Sequence, residues 1–550
     1  MRSSRNALIG KLKRKIAQAT HKSPLYNLSL NGAIPDRLVV KPVDPWPGNP
    51  EKGRWLCEGM FVMDGEHATL EADCWEPVGV DMVWLEHMHG FEWLRDLRAH
   101  ANSGAGEHAR REGRAMIGNW AQAHKNWKAL PWRGDITGKR LVMWISHYDC
   151  FAAGAAENFN DIFFESMIRQ ARHLSRTLPG DLNGIALLEA ARGLLYAGMG
   201  FEGHEAWIEQ ALEIFVVEID RQILNDGAHV SRSSAQLLQA MQILLDIRTA
   251  LSAGGYPPPE EIQHALDRMA PALRFYRYPD NHFGLFNGAQ EESHLSVDNV
   301  LAQMGSSGKA LESLPCVGYE KVHLGRSMLM FDCGAPPEWP FDDVAHAAPL
   351  AFEFAYGKDR LFVNCGAHPV SRDWNEALRA TPAHNTLTID NRNAYEIRND
   401  GHFGRKARTV TALREESKSA CLLEATHDGY LPLNGIVHKR RLYLSEQGND
   451  LRGEDLLSCS VGLTHPCDIA IRFHLHPRAT VSLVRDDKEA LIRLPGGVGW
   501  RFHHAGGILK LETSIYLGEG ARPRKTKQLV IYGRMVDDSA QIKWALQREG

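Results

Sequence analysis

The hydrophobic period of this chain changes about two thirds of the way along, and that change limits the fold more than any other feature. Before it, apolar residues recur at i, i+3 and i+4. The stripes are Ile185, Leu187, Leu188, Ala191, Leu194 and Leu195; Ile208, Ala211, Leu212, Phe215 and Ile219; Leu237, Leu238, Met241, Leu244 and Leu245; and Ile262, Ala265, Leu266, Met269 and Leu273. Each stripe predicts a helix that buries one face. Short turns rich in Gly, Asp and Pro, such as Pro257-Pro258-Pro259, predict stacked helical hairpins. The stretch 82–175 reads similarly, with Trp84, Trp93, Trp120, Trp127, Trp132 and Trp144 interspersed. After about residue 320 the period falls to two. Ile469, Ile471, Phe473 and Leu475 alternate with Asp468, Ala470, Arg472, His474 and His476, as on a half-buried antiparallel strand. Residues 351–356 and 360–364 flank Gly357-Lys358-Asp359 as a hairpin. Further strands are expected at 326–332, 385–390, 408–413, 437–444, 480–484, 490–494 and 527–532. The expected class is α+β multidomain, an N-terminal helical unit followed by a C-terminal antiparallel β-sandwich. The divisions read as 1–80, an N-terminal extension; 81–310, the helical domain; and 311–550, the sandwich.

Composition excludes several classes. The 550 residues are 44% hydrophobic and 24% charged, which rules out disorder and a small disulfide-stapled module. With Lys+Arg at 63 against Asp+Glu at 67, the chain as a whole is not a basic nucleic-acid binder. No apolar run approaches the ~18–20 residues of a membrane span. The nine cysteines are odd in number and scattered, with no C-x-x-C, so reduced thiols are expected rather than a disulfide framework. The N-terminus carries Arg2, Arg5, Lys11, Lys13, Arg14 and Lys15, an amphipathic helix that is solvated or touches an anionic membrane face. Its apolar piece Ala7-Leu8-Ile9 is shorter than the ~7–15 residues of a signal-peptide core, so a cytoplasmic placement is expected.

The densest chemistry lies in DVAHAAPLAFEFAYGKDRLFVNCG (343–366) and ALRATPAHNTLTID (377–390). Here the sequence resembles the heparinase II/III family of polysaccharide lyases. The likeness runs on through HDGY (427–430), IVHKRRLYL (436–444), LRGED (451–455), FHLHP (473–477) and SIYLGEGARPRKT (514–526). In the helical half it includes HGFEWLRDL (89–97) and DGAHVSRS (226–233). The resemblance implies an (α/α) helical toroid joined to the sandwich, β-elimination on uronate-containing polysaccharides, and an acidic polysaccharide or oligosaccharide as partner. Such lyases are often periplasmic, the alternative placement. Elimination needs a group that neutralises the sugar carboxylate, a base for the C5 proton and an acid for the leaving oxygen.

The family pattern is only partly kept. An Asn-His pair on a helix of the toroid becomes Asn183 followed by Gly184, a catalytic Tyr aligns with Gln236, and a second His aligns with Val344. The resemblance also implies a metal set in the sandwich, here His346, Asn364 and His384, which suits zinc although Asn is a neutral, weaker ligand than Asp. The other reading of the two histidines is burial with hydrogen bonds at strand ends.

Remaining candidates follow from the residues themselves. In 226–233, Ser231 or Ser233 can cap the next helix, placing His229 and Arg232 near a positive helix end that attracts carboxylates. Tyr430 in a loop is a general acid or base, or a half-buried aromatic. Arg379 grips a sugar carboxylate or is an ordinary surface Arg. His89 and Trp93 line a sugar groove or pack in the core. His474 and His476 share a strand face, as a metal pair or a solvated one. The catalytic set is therefore Asn183, His229, Arg232 and Tyr430, and the substrate-binding set His89, Trp93 and Arg379. Three functions remain open: a lyase, a non-catalytic glycan-binding protein on the same scaffold, and a glycoside hydrolase using Glu291-Glu292 or Asp342-Asp343.

Overall fold

A computed structural model of the chain describes residues 18–63, 66–69, 75–77, 79–292, 294–305 and 311–549. The basic cluster from Arg2 to Lys15, and Cys74, lie outside the described residues. The chain divides into two compact units: the chain up to Arg221 together with Gln239–His264, and Gln222–Leu238 together with Ala265–Gly550. The expected cut near residue 310 differs from this division. The first unit takes in the expected extension, while the loop 226–233 and most of the last amphipathic helix group with the strands.

The four helical stripes fold as read, over Gly184–Gly200, Glu205–Gln222, Ser234–Gly254 and Glu260–Phe275, the last three of which cross the division between the units. Helix starts carry the expected caps. The Asn49 side chain accepts from the Glu51 and Lys52 N–H groups, and Asp81 accepts from Val83. Helices Gly134–Ser146 and Gly184–Gly200 cross at bare backbone. A Cβ on Gly138 would stand 2.2 Å from the Glu189 carbonyl oxygen, and one on Gly193 would stand 2.3 Å from the Gly138 Cα. The tryptophans of the segment 82–175 pack inward: Phe91 meets Trp93, Trp120 and Trp144 with ring centroids 4.7, 5.9 and 5.3 Å apart. The extension is tied down by Asp44, which binds Arg95 Nε at 2.9 Å, and by Trp46, whose indole donates to Asp246 at 2.8 Å.

Among the described residues, the second unit holds three antiparallel sheets. The largest orders its strands Thr480–Val484, Glu489–Arg493, Gly499–Ala505, Ser539–Arg548, Asp450–Cys459, Ile436–Ser445, Cys421–His427 and Val410–Glu416. The second orders Ile508–Tyr516, Arg524–Met535, Cys467–His474 and Leu387–Ile389; the third orders Ser313–Leu314, Tyr319–Leu324, Ser327–Asp332, Phe352–Tyr356 and Asp359–Phe362. Each sheet contributes rings to one core. Phe352 stacks on Trp544 at 5.3 Å, and Phe473 meets Phe502 at 4.9 Å and Trp544 at 4.9 Å. The predicted hairpin forms over Phe352–Tyr356 and Asp359–Phe362, with Gly357 supplying a φ of 59°. The eight described cysteines are all free, five of them buried.

Strand Ile436–Ser445 shows how a charged motif serves the fold. Its inward residues are Ile436, His438, Arg440, Leu442 and Leu444, so a His and an Arg are carried into the core. Both meet Asp455 on the neighbouring strand: His438 Nε2 and Arg440 Nε each lie 2.8 Å from Oδ1, and Trp544 Nε1 lies 3.2 Å from Oδ2. The outward Lys439 and Arg441 pair with Glu424 instead.

Candidate functional site

The loop 226–233 closes on itself before the helix Ser234–Gly254. Ser233 is the cap, accepting from the Gln236 N–H at 3.4 Å. Ser231 instead faces His229, its Oγ 2.7 Å from Nδ1, while His229 Nε2 lies 3.1 Å from Gln222 Oε1. His229 is 1% exposed, and burial pushes its pKa down to about 3. Arg232 sits in the left-handed region at φ 65°. Its Nε donates to the Val317 carbonyl at 2.7 Å, its Nη2 pairs with Asp332, and its guanidinium lies 5.0 Å from the Tyr319 ring centroid. Burial opposes that charge, yet Asp332 holds the Arg232 pKa above its ordinary value. Neither residue sits at a rim. His229 is neutral, and Arg232 is a buried tie between the loop and strand Ser327–Asp332.

The same network reaches the first histidine of the expected metal set. Asn287 Nδ2 donates to Tyr319 at 2.5 Å, and its Oδ1 accepts from the His346 N–H at 2.9 Å. The His346 and His384 rings lie 4.5 Å apart, and both are sealed, at 6% and 1% exposure. A neutral imidazole has one lone pair in the ring plane. Two backbone N–H groups face His346: Gly288 stands 2.8 Å from Nε2 and Asn287 stands 3.2 Å from Nδ1, and the shorter contact takes that lone pair. His384 Nε2 donates to the Leu378 carbonyl at 2.9 Å. Asn364 Oδ1 accepts from the Asn385 N–H at 3.0 Å, which leaves a donor, Nδ2, buried with no partner. A cation needs lone pairs: the one on His346 is spent on an N–H group, and Asn364 offers an amide where a carboxylate is required, so His384 Nδ1 is left as the single imidazole lone pair. These residues do not fit the metal that the family implies. Burial keeps both rings uncharged, with the His384 pKa down at about 3.

The other expected residues are placed as follows. Tyr430 is fully buried; its hydroxyl donates to the Leu387 carbonyl at 3.0 Å, so it is neither a loop acid nor half-buried. Arg379 is a buried clasp, not a surface side chain, donating to the carbonyls of Ala345, Gly401 and Asp342 at 2.7, 2.6 and 2.9 Å. In the first unit His89 is buried and accepts from the Trp120 indole at 3.0 Å, while the buried Trp93 donates to the Met88 carbonyl at 2.9 Å. Both belong to the aromatic core. Asn183, half-buried, precedes helix Gly184–Gly200 without capping it and donates to the Asp181 carbonyl at 3.1 Å. His474 and His476 are buried, not solvated, with His474 Nδ1 2.7 Å from Ser514 Oγ. Of the hydrolase carboxylates, Asp342 accepts from the Phe403 N–H at 2.7 Å and bonds His402 at 2.6 Å, and Glu291 accepts from Tyr516.

Sequence reasoning passed over Asp332, Tyr319 and Asn287, which organise this region. It also passed over Glu353, which accepts from the Asn364 N–H at 2.9 Å and the Leu285 N–H at 3.2 Å. Burial raises the Glu353 pKa to about 7. The available signal was an acidic residue inside an apolar strand, FEFAY for Glu353 and SMLMFD for Asp332.

A helical unit followed by a three-sheet antiparallel unit defines a protein with the fold of polysaccharide lyases. Two family profiles match, one described as "Heparinase II/III N-terminus" over residues 75–307 and one as "Heparinase II/III-like, C-terminal" over 306–545. The chain belongs to the heparinase II/III-like family. A curated relative, "FtsZ-localized protein C" of Caulobacter vibrioides (strain NA1000 / CB15N), is 30% identical over 544 residues, covering 94% of this chain and 91% of that protein. Among solved structures, heparinase III matches with a TM-score of 0.71 at 14% identity, covering 88% of this chain and 80% of that one. The heparan sulfate lyase HepC of Pedobacter heparinus matches with a TM-score of 0.60 at 16% identity, covering 98% and 87%. These two structures show the shared fold.

Proposed function

We propose that this chain is a binding protein on a lyase scaffold: it does not perform β-elimination, and it acts in association with FtsZ. The observation that carries the first half is that the buried candidates bond to the protein itself. His229, Arg232, Tyr430, Arg379, His346 and His384 each spend their donors or acceptors on the protein itself. A general acid or base must reach the proton it moves, and a buried Tyr bonded to a main-chain carbonyl does not. Gln236 and Val344 stand where the family pattern has a Tyr and a His. The second half rests on the relative named for FtsZ, which is alike over nearly the whole length of both chains. A cytoplasmic placement follows from this reading.

The test is direct. A fluorescent fusion expressed in the native host is expected to gather where FtsZ gathers and to disperse when FtsZ is depleted. A fusion that stays diffuse with FtsZ present contradicts the proposal.

A second reading keeps support from the family and from the heparan sulfate lyase of the same fold: elimination on an acidic glycan, using groups outside the expected set. It predicts the ultraviolet absorbance of unsaturated uronate on incubation with heparan, alginate, hyaluronan or polyglucuronate.

A further inference from the structure

One end of the sandwich gathers three unlike metal-ligating side chains, far in sequence from His346. Asp390 directly follows strand Leu387–Ile389, Cys467 opens strand Cys467–His474, and His465 lies on the connection just before it. Pairing of Ile389 with Ile469 sets these strand ends side by side, and the Asp390 N–H bonds the Asp468 carbonyl at 2.8 Å. One carboxylate oxygen, one imidazole nitrogen and the thiol sulfur all lie within 4.8 Å of one another.

The neighbours hold these groups in place without using them up. Asp390 Oδ1 accepts from the Asp468 N–H at 2.9 Å, and Oδ2 accepts from Asn434 Nδ2 at 2.8 Å. Each carboxylate oxygen has a second lone pair, so the group can still ligate. Asn434 Nδ2 also lies 3.5 Å from Cys467 Sγ, and the Asn434 carbonyl receives the Cys459 thiol at 3.9 Å. Thr464 Oγ1, 3.0 Å from His465 Nδ1, orients the ring and leaves Nε2 uncommitted by that contact. Such outer partners commonly orient metal ligands. His465 is exposed, Asp390 half-buried and Cys467 buried, so an ion can enter from solvent and meet a shielded sulfur.

We propose that Asp390, His465 and Cys467 form a zinc-binding site. A mixed sulfur, nitrogen and oxygen set suits a borderline-soft cation that favours four ligands at about 2.0–2.3 Å, and the side chains need only close inward to reach it. Calcium and magnesium, which demand oxygen, are disfavoured. Binding converts the Cys467 thiol to a zinc thiolate and releases its proton to solvent. The ion would clip the turn after Leu387–Ile389 to the connection before Cys467–His474. The site is independent of the reading under Proposed function.

The full-length protein, stripped by chelation and kept reduced, is titrated with Co(II) as a spectroscopic stand-in for zinc. One equivalent is expected to give tetrahedral visible bands and a sulfur-to-cobalt charge-transfer band, both abolished by added Zn(II). Cys467→Ser should remove the sulfur band. His465→Ala, at an exposed position that leaves folding intact, should weaken binding by about tenfold or more. Cys316→Ser, an exposed cysteine elsewhere, should change nothing. The proposal is overturned if the wild type binds no cobalt, if binding shows no sulfur band, or if His465→Ala binds as tightly as the wild type.

Discussion

Replacing Asp455 by Asn tests whether the family-like motif 436–444 is there for the fold. Asp455 is 1% exposed and takes three donors: His438, Arg440 and Trp544. The Arg440 guanidinium is fully buried, and its Nη1 donates to the carbonyls of Leu350 and Asn385 at 2.8 and 2.7 Å. An amide in place of the carboxylate leaves that cation without a counter-charge and sets an NH2 against one of the three donors. Breaking a buried pair in this way costs about 3–5 kcal/mol. For a domain of a few hundred residues each kcal/mol is worth about 2–4 °C, so the transition that melts the sandwich should fall by roughly 6–20 °C. Thermal unfolding followed by near-ultraviolet circular dichroism, which reports Trp544 and Trp500 in the core, measures it. Adding Arg440→Met to Asp455→Asn should recover a large part of the loss, since the pair is then removed whole. A transition for Asp455→Asn within about 2 °C of the wild type, or a double variant that loses the sum of the two singles, would refute the reasoning.

The same carboxylate predicts a pH dependence. Burial pushes the Asp455 pKa up, but Arg440 and His438 prevail and hold it at about 2. A depressed carboxylate stabilises the fold above its unfolded value and loses that contribution as pH falls through the folded one. About 2 kcal/mol should therefore vanish between roughly pH 4 and pH 2, and acid titration of stability in the wild type and Asp455→Asn should differ on that limb. Asp332→Asn should lower stability by about 3–5 kcal/mol, because it strands the buried Arg232, and denaturant unfolding reads it. Gly138→Ala should cost about 1–3 kcal/mol or more in the helical unit, since its Cβ would meet the Glu189 carbonyl at 2.2 Å; an unchanged melting transition would show that the helices separate freely.

Much of the architecture was legible because periodicity is a local signal. The stripe from Ile185 to Leu195 and the alternation from Ile469 to Phe473 each reveal a face without knowledge of what covers it. Strands such as Asp450–Cys459 and Gly499–Ala505 were passed over, because Gly453 and Asp455 occupy inward positions of the first, and only Trp500 and Phe502 mark the inward face of the second. The candidate site was legible only as a set of residue types. Arg232, His346, Tyr430 and Arg379 do carry hydrogen-bonding side chains, but their partners lie far along the chain: Asp332 is 100 residues from Arg232, and Asn287 is 59 from His346. A sequence shows which groups can react. Whether their lone pairs remain free is decided by contacts made only in the folded chain.

The claim that the lyase chemistry is sealed is most directly tested by following ultraviolet absorbance while the purified protein is incubated with heparan, alginate, hyaluronan and polyglucuronate. A flat trace on all four is the expected result. A sustained rise on any one of them, lost on boiling the protein, would show a working elimination site and contradict the account.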